Sequence, residues 1–132
     1  MKILETIPPN YEDIKKVLTP PDTAVFAYGD TIYNQSKQKI WPDLEEHEKV
    51  HQRQQGNDPD LWWRKYLLDP QFRLSQEVEA YSYQFKFWRE NTRLNNKELK
   101  NILYEMAKAL SNDYGLDISY QEVEQRIRKF IN

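Results

Sequence analysis

The chain has 132 residues, the size of a single domain; 30% are charged, but 14% are aromatic and these are spread along the whole length, which excludes disorder as the default. A net charge of −2 with no basic stripe gives no reason to expect nucleic acid, and no apolar run approaches membrane-spanning length. The absence of cysteine removes disulfides and every thiolate metal site. The opening run from Met1 to Pro9 is too short and too broken for a signal peptide, so the expected location is cytoplasmic.

Taken in chain order, Pro8-Pro9-Asn10 reads as a stop followed by a helix cap, and Tyr11 to Leu18 as a short helix closed by Pro20-Pro21. Two β-prone runs, Ala24 to Tyr28 and Thr31 to Tyr33, flank Gly29-Asp30 and predict a hairpin. Pro42 and Asp43 open the next helix, with Asp43 and Glu46 spaced as a capping box and Trp41 expected to pack at its start; Gly56 ends it. A short helix over about Leu61 to Leu68 carries Trp62, Trp63 and Tyr66.

Gln71 to Arg89 shows the clearest helical period, with Leu74, Val78, Tyr81, Phe85 and Trp88 forming one stripe. Asn96 is expected to cap a helix that turns Leu99, Ile102, Leu103, Met106 and Leu110 inward and breaks at Asn112-Asp113-Tyr114-Gly115. A last helix begins at Ser119, with Glu122 as its box partner, and is expected to bury Val123, Ile127 and Phe130. The fold class is therefore α+β, mainly helical, a single domain over residues 1–132 with a small N-terminal β-hairpin.

Both histidines of the chain fall in one string, His47-Glu48-Lys49-Val50-His51. On a helix, positions i and i+4 share a face about 5–6 Å apart at Cβ. Two imidazoles so placed can hold one Zn²⁺, and a Glu beside the first can reach a water on the metal. The neighbours Glu45, Glu46, Gln52 and Arg53 are polar and predict a helix left half exposed.

A catalytic zinc takes three protein ligands and keeps one open position. With no further His and no Cys, the third ligand must be a carboxylate, and Glu77 and Glu79 stand in the best context. At about 100° per residue, Glu77 lies about 60° from the centre of the Leu74–Trp88 stripe and Glu79 about 140°. Glu77 is therefore the expected ligand, and Glu79 is expected to face solvent. The competing reading of Glu77 is an ordinary ion pair with Arg73 at i−4.

HExxH followed by Glu77-Val78-Glu79-Ala80-Tyr81 resembles the gluzincin class of metallopeptidases, and most closely its small phage or prophage members. Tyr28-Gly29-Asp30, Ile32-Tyr33-Asn34 and Tyr114-Gly115 fit that resemblance, which spans the chain from about residue 22. It implies a minimal zincin-like domain in the cytoplasm of a producing or infected bacterial cell. It further implies zinc on His47, His51 and Glu77, Glu48 as general base, and a peptide or protein substrate. Tyr81, Tyr114 and Arg73 are the candidates to stabilise an oxyanion or support the site. Where relatives in that class carry an Asp that orients a ligand histidine, this chain has Tyr81, so the partner of that histidine stays unassigned. The alternative is a phage-derived structural or host-interaction protein that binds the metal without catalysis.

Overall fold

Prolines set the starts of the central helices. The structure, a computed structural model, describes residues 2–132: strand β1 (Lys2–Leu4), helix α1 (Tyr11–Val17), strands β2 (Val25–Tyr28) and β3 (Thr31–Asn34), then helices α2 (Pro42–Gln55), α3 (Pro59–Leu68), α4 (Pro70–Asn91), α5 (Asn96–Asp113) and α6 (Tyr120–Ile131). It is 63% helical with one three-stranded sheet, the mainly helical α+β class that the periodicities predict. Pro42, Pro59 and Pro70 each occupy the first turn of a helix, where a missing N–H costs nothing. Asp58 and Asp69 cap the last two of these by accepting from Leu61 N, and from Gln71 and Phe72 N.

Two expected caps shift and a third holds its place without a side-chain bond. Trp41, in extended conformation, holds the N-cap position of α2, because Pro42 starts the helix one residue before Asp43 can cap it. Asp43 instead sends its carboxylate across to α4, and Glu46 faces Lys49. Asn95, not Asn96, caps α5, in a full capping box with Glu98. Asn10 precedes α1 but makes no cap bond, and both its amide atoms lack partners. Trp41 itself is 59% exposed, with the Lys39 ammonium over its ring, so only its backbone shapes the start of α2.

The sheet order is β1-β3-β2. β2 and β3 form the expected hairpin, with Tyr28 opposite Thr31 and Gly29 at φ +62° in the turn. β1 pairs parallel with β3, Ile3 opposite Ile32. This three-residue strand has no periodicity of its own and exists through that pairing, so the local sequence does not announce it.

Two apolar clusters build the interior. Leu74, Val78, Tyr81 and Phe85 of α4 meet Leu103, Met106, Ala107 and Leu110 of α5 and Val123 and Ile127 of α6. Ile14 and Leu18 meet Trp62, Trp63 and Tyr66 in the second cluster. Phe130 does not join the first; in the last turn of α6 it lies 48% exposed against the Tyr83 ring. None of the described helices is long and apolar enough to cross a membrane.

Candidate metal centre

Helix α2 lies against α4, with α3 and β2 also in contact with it. This covering, invisible in the polar flanks of α2, buries the helix face that carries the histidines. His47, Glu48 and His51 are 3%, 4% and 5% exposed and Glu77 on α4 is 2% exposed, while Glu45, Glu46, Lys49 and Arg53 on the other face stay accessible, so the helix is half exposed as expected but the site itself is buried. Gln55 at the end of α2 ties the hairpin down: its Oε1 accepts from Gly29 N at 2.7 Å and its Nε2 donates to Ala27 O at 2.8 Å.

Nε2 of His47 lies 3.2 Å from Glu77 Oε1, and Nε2 of His51 lies 3.0 Å from Glu77 Oε2. One ligand atom from each of the three residues fits within 4.8 Å of the others. Ligands about 2.1 Å from a tetrahedral ion stand roughly 3.4 Å apart, so a small adjustment suffices for one ion. The buried group His47, His51 and Glu77 can therefore hold a metal ion. Glu77 makes no ion pair with Arg73 among the described residues; the phenol of Tyr66 donates to its Oε2 at 2.6 Å. Glu79 is not solvent-facing either: it accepts from Gln54 on α2 at 2.8 Å.

Both imidazoles are held from behind. Nδ1 of His47 is 2.8 Å from Gln84 Oε1, and Nδ1 of His51 is 2.8 Å from Gln54 Oε1. Each amide is oriented by acids or carbonyls that accept from its NH₂: Asp43 Oδ2 for Gln84, Glu79 Oε1 and Gln76 O for Gln54. Sequence reasoning missed both glutamines and Tyr66. Helical spacing was the available signal, since Gln84 lies seven residues beyond Glu77 on α4.

Electrostatics separate the two buried carboxylates. Burial pushes Glu48 above the usual carboxylate range, outweighing the pull of the two imidazoles. Burial acts on Glu77 in the same sense, but the adjacent His51 and the hydrogen bonds from both imidazoles hold it well below that range. Burial opposes charge on His51, yet Glu77 raises it to about 9. Glu48 Oε2 is buried with no partner, an arrangement that is costly unless something else engages that oxygen.

These groups open onto a cavity of about 300 Å³ walled by Val25–Ala27, Trp62, Trp63, Tyr81 and Tyr114. The Tyr81 ring stands edge-on to His47 at 4.5 Å, and its hydroxyl shares a 2.7 Å hydrogen bond with Tyr114. Burial holds both phenols above their ordinary value. Arg73 is elsewhere: it donates to the carbonyls of Tyr66, Leu67, Tyr114 and Gly115, bolting the end of α3 to the turn after α5, and it does not line the cavity. Comparison with protein-family models, with curated proteins and with solved structures gives no match.

Proposed function

We propose that this chain is a zinc-dependent metallopeptidase of the gluzincin type. The observation that carries this reading is a single juxtaposition: three buried donors converge within 4.8 Å beside the unpartnered carboxylate of Glu48, at the wall of an open cavity. Two imidazoles and one carboxylate are a catalytic zinc set that leaves a fourth position open. When bound there, zinc supplies a Lewis acid that polarises a carbonyl and lowers the pKa of a water toward 7.

The chain's own groups do the rest. Glu48 takes the proton of the attacking water and returns it to the leaving amine; its raised pKa suits a group that must do both. Of two phenols sharing one hydrogen bond, one keeps a proton to donate, so the Tyr81–Tyr114 pair is the donor to the developing oxyanion. With Arg73 committed elsewhere, no Lys or Arg among the described residues lines the cavity to pair with a substrate's terminal carboxylate, which favours an internal peptide bond.

β2 is an edge of the sheet. Because Tyr28 pairs with Thr31 across the turn, Phe26 and Tyr28 bond to β3, and Val25 and Ala27 point their backbone groups outward. Ala27 O is taken by Gln55 and Trp63. The Val25 amide and carbonyl and the Ala27 amide are left for an extended substrate.

Elemental analysis and hydrolysis of a mixed peptide pool test this together. About one zinc per chain in wild type and in Glu48→Gln, with hydrolysis only in wild type, is the expected result. Zinc retained in both proteins with no hydrolysis by wild type would favour the non-catalytic metal-binding reading; no zinc in wild type would end both.

A further inference from the structure

The ligand histidines are not backed directly by carboxylates. Each is backed by a glutamine, and each glutamine by an acid: Asp43–Gln84–His47 on one side and Glu79–Gln54–His51 on the other. The two chains of contacts are alike in chemistry and nearly alike in length, at 2.8 Å in all four links. Both run between the same two helices but in opposite senses, since Gln84 is on α4 reaching a histidine of α2, while Gln54 is on α2 and takes its acid from α4.

The acids decide which way each amide points. An NH₂ facing a carboxylate leaves only the amide oxygen for the imidazole, and an oxygen there can only accept, so Nδ1 carries the proton. In both rings Nε2 is the atom that faces Glu77, donating to it in the metal-free protein, so Nε2 is the nitrogen that gives up its proton and offers a lone pair when an ion takes the place between them. We propose that Gln84 and Gln54 are the positioning residues of the centre, each fixing one histidine as the Nδ1–H tautomer with Nε2 toward the metal, and that Asp43 and Glu79 fix the glutamines in turn. This inference rests on the metal-centre reading.

An amide differs from a carboxylate in one respect that matters: it is no base. It holds the imidazole without drawing on the Nδ1 proton, so the ring remains a neutral donor and the ion keeps more of its charge for the substrate carbonyl. Reversing one relay tests the idea. Gln84→Glu alone sets two carboxylates against each other; Gln84→Glu with Asp43→Asn restores donor and acceptor at every link, with the carboxylate now against His47. Trp88 Nε1, which donates to Asp43 at 3.0 Å, still finds an oxygen in the double variant.

Zinc affinity by chelator competition, and ¹⁵N–¹H spectra of the histidine rings in the zinc-loaded protein, are the readouts. Wild type should show protonated Nδ1 and metal-bound Nε2 on both rings. Gln84→Leu and Gln54→Leu should each weaken zinc by roughly 10–100-fold and lose the protected Nδ1–H signal of their own ring only. Gln84→Glu should weaken it, and the Asp43→Asn/Gln84→Glu pair should regain wild-type affinity or exceed it. Nδ1 coordination in wild type, or Leu variants that are folded and bind zinc normally, would overturn the relays and leave the metal centre standing. A wild type that binds no zinc would overturn the centre and the relays with it.

Discussion

Glu48 and Glu77 share one cavity wall yet are driven in opposite directions, and the consequence is measurable without any metal. His51 rises from 6.5 to about 9, so its contribution to stability is complete below pH 6.5 and is lost as pH rises through about 9. Glu77 is lowered, so its contribution is present above about pH 4.5 and is lost as pH falls below that. Glu48, raised by burial, favours folding while it keeps its proton, so its share begins to fall above about pH 4.5 and draws the optimum toward the acid end of the range. Melting of the metal-free protein should therefore be highest between about pH 4.5 and 6.5, and the His51 share of the fall toward pH 9 should be on the order of 3 kcal/mol. A flat profile over that window would contradict the buried ion pair. Zinc must displace the same proton, so its apparent affinity should climb about tenfold per pH unit until pH 9. A competition titration at three pH values reads this directly. Replacing both phenols, Tyr81→Phe with Tyr114→Phe, tests the oxyanion assignment: kcat should fall by about 10² or more while zinc content stays at wild-type level.

At the scale of elements, α4 does two jobs with one helical period. Its Leu74–Phe85 stripe packs on α5 and α6, and its flank carries Glu77 and Gln84 to α2. That period is why the stripe and the choice of Glu77 over Glu79 could be read from the residues: helical angle is local information. What could not be read is what covers a helix. The polar residues around His47 and His51 suggested exposure, but α4, α3 and β2 enclose that face, and a tertiary covering leaves no mark on the helix it covers. Asp43 fails for the opposite reason, since a good capping residue and a distant partner compete for one carboxylate, and Gln84 with Trp88 win. The two functions of α4 should be separable. Leu110→Ala opposite the stripe, at a site with no exposure, should cost about 2–5 kcal/mol in melting or denaturant experiments while zinc stoichiometry stays unchanged. Loss of zinc in that variant, with the fold retained, would mean that packing and centre are coupled.

Across the whole molecule, the candidate metal site lies between the two apolar clusters. Tyr81 belongs to one and touches His47; Trp62 and Tyr66 belong to the other and face His51; Tyr114 packs on both. The middle of the protein is thus a set of ionisable and amide groups rather than hydrocarbon. An ion that ties α2 to α4 should stabilise the whole chain, by about 4 kcal/mol when free zinc is a thousand times the dissociation constant. Chelation should lower the melting temperature of wild type, and should leave that of Glu77→Ala unmoved.

One further consequence follows from where the polar groups sit along the chain. Both imidazoles, the Glu77 carboxylate between them, Glu48, both amides and both outer acids all fall between Asp43 and Gln84. Segments outside that stretch supply walls: the hairpin on one side, the Tyr114 turn on the other. Substitution in the hairpin or in the Tyr114 turn should therefore change the shape of the cavity mouth while the donors of the candidate site stay in place.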